Sequence, residues 1–150
     1  MRHFIPLFML LPACLISDEQ RRDDLWCEAL NVAAFSDPYE PVRGEPAPLD
    51  TSAVRLLLPD GDALLDYTPN NGGRKHVIAS APIELQILDE FGRSAAFVRT
   101  ETEHECDDIA VRWVVDIEPR DYFFLINERD ENIPEVSLFV EDESDLRVTE

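Results

Sequence analysis

The residue types with the most chemical potential lie together in one acidic segment, positions 101–108. Carboxylate oxygens are hard ligands for calcium, and alternating Glu side chains in an extended segment would point to one side. The segment lacks the D-x-D-x-D-G spacing of an EF-hand, so we favour a solvated acidic loop as its interpretation. The candidate metal ligands, if the loop does hold a metal, are Glu103, His104, Glu105, Asp107 and Asp108.

No catalytic residue is predicted. None of the seven Ser residues stands in the G-x-S-x-G pattern of a nucleophile elbow. The chain also has neither a P-loop nor a G-x-G-x-x-G turn, and we therefore predict no cofactor and no enzymatic activity. A small hydrolase is kept as a disfavoured hypothesis, because 32 acidic residues always supply carboxylate pairs.

The charge balance excludes one class of partner. The chain carries 13 Lys and Arg against 32 Asp and Glu, a net charge of −19 over 150 residues. Binding to nucleic acid needs a basic face, so we predict no nucleic-acid partner. The length suits one domain.

The chain begins with a short basic start and an uncharged apolar run over residues 4–13. Ten helical residues reach about 15 Å, half of a bilayer core, which matches the apolar part of a signal peptide. The order Leu11-Pro12-Ala13-Cys14 resembles the bacterial lipobox. This resemblance implies cleavage before Cys14 and a lipid on its sulfur. Because Leu15 replaces the Asp that favours the inner membrane, it implies the outer membrane. A plain secretory signal or a buried N-terminal strand are the alternatives.

Two cysteines remain once Cys14 is lipidated. In an oxidising compartment we predict a disulfide between Cys27 and Cys106. Two free, unrelated thiols are the alternative. A zinc site is disfavoured, because the two residues lack C-x-x-C spacing.

Two kinds of element must position these residues. Ser17 and Gln20 have the spacing of a capping box, and Trp26 begins an apolar stripe at helical spacing, which predicts a helix over 18–34. A Pro-rich connector over 36–50 follows. Short strands are then predicted at 54–58, 64–68, 83–87, 95–99, 109–117, 122–126 and 136–140.

Strands at this spacing favour a mainly β fold, an antiparallel β-sandwich with a short N-terminal helix. The stretches 67–72, 81–87 and 117–125 resemble bacterial Ig-like domains of the type found in S-layer and surface proteins. The resemblance covers about residues 62–142, with Asp121 in place of the usual Gly before the Tyr. It implies an Ig-like module with a structural or adhesive role and no catalytic residues.

The expected organisation is a signal peptide at 1–13, a helix and connector at 14–50, a sandwich at 51–142 and an acidic tail at 143–150. The expected function is that of a non-enzymatic, lipid-anchored outer-membrane protein. Its partner would be an envelope protein or polysaccharide. The alternative is a periplasmic metal- or ligand-binding domain that uses the acidic segment 101–108.

Overall fold

The computed structural model describes residues 18–34, 36–40, 46–49, 53–59, 61–128 and 133–146. The predicted signal peptide and Cys14 lie outside these residues. The elements are α1 (Asp18–Ala34), β1 (Ala47–Leu49), β2 (Val54–Leu57), β3 (Asp62–Tyr67), β4 (Gly73–Ala79), β5 (Ile83–Asp89), β6 (Phe97–Glu101), β7 (Val111–Ile117), β8 (Tyr122–Glu128), β9 (Glu135–Asp142) and a short 3-10 helix (Glu143–Leu146).

The strands form two packed sheets, which confirms the mainly β sandwich. The four-stranded sheet has the order β1-β3-β8-β5, and the five-stranded sheet has the order β2-β9-β4-β7-β6. Alternate residues of each strand point into the space between the sheets and form the main core. Fully buried members of this core are Leu56, Leu65, Val77, Ile87, Val115, Phe124 and Leu138.

The antiparallel pairs are nested within one another. β2 pairs with β9, β3 with β8, and β4 with β7, so each pair encloses the next along the chain. A single bridge between Leu88 and Ser94 joins β5 to the chain that leads into β6. This nesting is typical of a jelly roll. An Ig-like sandwich has sheets ABED and CFG, which contain hairpins of consecutive strands. In the sandwich described here, β6 and β7 are the consecutive strands that pair.

The helix lies where the sequence predicts it, and most strands lie within a few residues of their predicted positions. Two strands, β1 and β4, lie where the sequence pattern predicts none. β1 falls in the Pro-rich connector, where it pairs in parallel with β3. β4 contains Lys75 and His76, whose polar side chains interrupt the apolar pattern although both are buried. Lys75 pairs with Asp142 of β9, and His76 lies beside Glu143 of the 3-10 helix.

The helix packs on the outer face of the five-stranded sheet. Trp26 and Leu30 of α1 contact Ile78, Ile109 and Phe139, which form a second, smaller apolar cluster. The molecule is therefore three layers thick at this point. Within the described ranges, no helix is long and apolar enough to cross a membrane.

Candidate functional site

A disulfide joins the helix to the acidic loop. Cys27 lies in α1, Cys106 lies between β6 and β7, and the two are bonded across 79 positions of sequence. Their Cα atoms are 6.2 Å apart, a normal separation for a disulfide. The bond agrees with the pairing that the cysteine count predicts.

The acidic segment does not gather its side chains around one point. Glu103, Glu105 and Asp107 are exposed to solvent. His104 Nε2 lies 3.1 Å from the carbonyl oxygen of Glu101, and burial lowers the pKa of this His against the opposing charge of Asp23.

Asp108 is the candidate ligand that lies beside the disulfide, with its carboxylate 3.5 Å from Cys27 Sγ. Within the described part of the chain, Cys27, Cys106 and Asp108 are the one group of three side chains close enough to share a metal ion. Bonded cysteine sulfurs are not thiolates and do not act as metal ligands. The disulfide therefore removes two of the three ligands.

An open cleft of about 420 Å³ lies between the edge strands of the two sheets, β5 and β6. Its apolar surface comes from Ile83, Leu85 and Trp113, and Thr100 and Gln86 add polar groups. Trp113 itself is buried, as its place on the apolar face of β7 predicts.

The cleft exposes backbone groups of β5. Ala95 N–H donates to Ile87 C=O at 2.8 Å, and Asp89 N–H donates to Arg93 C=O at 2.9 Å, so these two residues of β5 direct backbone groups away from β8. Residues of an antiparallel strand alternate in this respect. Leu85 therefore presents its N–H and C=O to the cleft, in the geometry that an added strand would pair with.

A second polar site lies beneath the helix, where the sequence predicts none. Arg112 of β7 donates to the Glu101 carboxylate, and its guanidinium lies 4.8 Å from the centre of the Trp26 ring. Trp26 Nε1 donates to Glu141. The His76 ring is 5.7 Å from the Trp26 ring. We call His76, Arg112, Trp26, Glu101 and Glu141, together with Glu143, the subhelical cluster.

His76 is the most enclosed titratable group of the subhelical cluster, with 2% of its side chain exposed. Its Nε2 is 3.5 Å from Glu143 Oε1, and neither ring nitrogen makes a hydrogen bond of normal geometry. Burial and the neighbouring Arg112 lower the pKa of His76, while Glu143 opposes them. The neutral imidazole is therefore the favoured form at neutral pH.

The subhelical cluster leaves one weak signal in the sequence. Lys75 and His76 directly precede the short apolar run Val77-Ile78-Ala79. The alternation of a strand sends Lys75 to the inner face of the sheet and His76 to the outer face. Lys75 pairs with Asp142, and burial together with the Asp142 charge raises the pKa of nearby Tyr67 to about 12.

Comparison with known proteins adds no relative: no family model matches the chain, and no curated protein matches it significantly.

Proposed function

We propose that this protein is an exported, lipid-anchored envelope protein whose β-sandwich binds a partner without catalysis. The observation that carries the proposal is the disulfide between Cys27 and Cys106. Disulfides of this kind persist in oxidising compartments and are rare in the reducing cytosol. A lipobox-like stretch ending at Cys14 supports export and supplies the anchor, and Leu15 after it favours the outer membrane.

The cleft between β5 and β6 is the proposed binding surface. An extended polypeptide of an envelope partner fits it best, because β5 offers backbone groups at Leu85 and apolar side chains line the floor. A strand added to a sheet edge gains affinity from such backbone pairing and specificity from its side chains. The amide and hydroxyl groups of Gln86 and Thr100 suit hydrogen bonding rather than proton transfer.

The charge of the chain favours a basic partner segment. With 13 basic and 32 acidic residues, the protein attracts Lys- and Arg-rich segments over distances of about a Debye length. The choice of binding surface depends on the open edge of the sandwich and not on the Ig-like resemblance.

The anchor and the disulfide are tested by mass spectrometry of the full chain from its native membrane fraction. Cells are fed an alkyne fatty acid, and free thiols are alkylated before any reductant is added. We expect a chain that begins at acylated Cys14 and takes up no alkylating reagent until it is reduced. A Cys14→Ser variant is the matched control and should lose the label. A chain that begins at Met1 with alkylated cysteines would contradict export.

The binding surface is tested separately with a photo-crosslinking amino acid at Gln86 or at Thr100 in living cells. The matched control position is Asp66, an exposed residue of the same sandwich away from the cleft. We expect the same adduct from both cleft positions and none from Asp66. Equal crosslinking at all three positions would contradict binding in the cleft while leaving the export result intact.

A further inference from the structure

The contact between α1 and the five-stranded sheet contains charged groups in a place where apolar side chains would serve packing better. His76 is enclosed there with no hydrogen bond of normal geometry to either ring nitrogen. A buried polar group without hydrogen bonds costs free energy, so its presence calls for a physical account.

Charged groups lie around His76 on three strands and on the 3-10 helix. They are Arg112 from β7, Arg99 and Glu101 from β6, Glu141 from β9 and Glu143 from the 3-10 helix. The helix contributes Trp26, whose ring centre lies 5.7 Å from the His76 ring and 4.8 Å from the Arg112 guanidinium. Trp26 is therefore the residue of α1 that lies next to both basic side chains.

We propose that protonation of His76 releases α1 from the five-stranded sheet, while the Cys27–Cys106 disulfide keeps the helix attached to the molecule. The helix is the element that moves, because it contacts the sheet through side chains whereas the strands are held by backbone ladders. The outcome is an acid-sensitive switch that exposes the outer face of the sheet.

The groups around the imidazole explain why protonation should weaken the contact between α1 and the sheet. A proton on His76 places a second positive charge beside the Arg112 guanidinium in a layer with little water. Glu143 pulls the other way, but its side chain is 41% exposed, so solvent screens its attraction. Separation of the helix lets water reach both cations.

The test is an NMR titration of the full chain, with its disulfide intact, from pH 8 to pH 4.5. The Trp26 indole N–H signal reports helix docking, and a Trp26→Phe variant identifies it. Amide exchange in α1, corrected for its intrinsic pH dependence, is followed beside exchange in the β3–β8 ladder. We expect the indole signal to shift with a midpoint below pH 6.5. We also expect α1 exchange to rise at least tenfold while the ladder stays protected.

Two variants separate this switch from other causes. His76→Gln should abolish the transition, and His104→Gln, which changes the other His of the described residues, should retain it. Glu143→Gln alters a half-exposed side chain, and the folded protein should show a midpoint moved to lower pH because the opposing carboxylate is gone. An unchanged transition in His76→Gln, or loss of α1 and ladder protection together, would overturn the proposal.

Discussion

The five-stranded sheet is covered on both faces where α1 lies on it, yet the two faces differ in chemistry. On the inner face, Val77 and Trp113 pack into the core against the other sheet. On the outer face, residues of the same two strands, His76 and Arg112, lie beneath the helix. The same two strands form both faces, so the difference lies in what covers each face: the other sheet on the inside and α1 on the outside.

The two faces are held in place by different kinds of interaction. The inner face is held mainly by close packing, which depends on shape, and its one buried ion pair among the described residues joins Lys75 to Asp142. The outer face is held by contacts that include charges, and their strength changes when a proton is gained or lost. The sandwich therefore stays folded while the docking of α1 on its outer face depends on pH.

The largest expected loss of stability comes from making a cavity in the core between the two sheets. Phe124 is fully buried, with its ring 5.3 Å from that of Tyr67. Phe124→Ala should lower the free energy of unfolding by about 4 kcal/mol, because it removes packing that the core cannot replace. Urea denaturation measures it. Phe91→Ala, at a ring 69% exposed, is the matched control and should change stability by less than about 1 kcal/mol. Equal losses would break the comparison.

The second largest loss of stability is expected from removing the disulfide that holds α1 on the outer face. The double variant Cys27→Ser with Cys106→Ser should lose about 3 kcal/mol, since the bond closes a long loop in the unfolded chain. Thermal unfolding of the variant beside the reduced wild-type protein checks it, and the two should agree. A variant as stable as the oxidised protein would show that the helix stays in place without the bond.

A smaller effect is expected from the charged pair of the outer face. Arg112→Met should cost about 2 kcal/mol, because partly buried Glu101 loses its buried partner and keeps Arg99, which is half exposed. Adding Glu101→Leu should bring stability back to within about 1 kcal/mol of the wild type. Chemical denaturation of the single and double variants measures the coupling. A double variant less stable than the single one would mean that the pair itself stabilises the fold.

The smallest effect is on pH dependence. The pKa values of His76 and His104 are lowered in the folded protein, so the unfolded chain binds protons first as pH falls below 6.5. The free energy of unfolding should therefore fall between pH 7 and pH 5. The pKa values of Asp89, Asp116 and Asp142 lie below 3.8, and these groups act only in stronger acid.

Urea midpoints at pH 7 and pH 5 check this pH dependence. His76→Gln should show a smaller difference between the two midpoints than the wild type. An equal or larger difference would assign the acid sensitivity to other groups.

Much of the fold follows from local pattern. The capping box and apolar stripe predict α1, and the alternation from Val111 to Ile117 predicts β7 with its apolar face inward. β4 escapes prediction because a central strand covered on both sides loses its alternation between apolar and polar residues. Its polar residues Lys75 and His76 are tolerated through partners distant in sequence, which local pattern does not contain.

The candidate sites also differ in how far the sequence predicts them. The disulfide is predictable, because two cysteines remain after one is assigned to the lipid. The cleft is not, because it exists only where β5 and β6 end up as sheet edges, and the order of strands is a global property. The subhelical cluster is also global, since it draws on α1, four strands and the 3-10 helix. The lipid on Cys14 stays a prediction.

The nested strand pairing has a consequence for how fast the protein acquires its structure. Each pair encloses the next one along the chain, so the outermost pair, with Val54 opposite Leu138, joins residues from opposite ends of the sandwich sequence. Such high contact order slows folding, because the entropy of closing long loops is lost before the contacts form. We expect folding in milliseconds to seconds rather than microseconds. Slow closure of the sheets is compatible with the proposed export, in which the chain would cross a membrane before it folds.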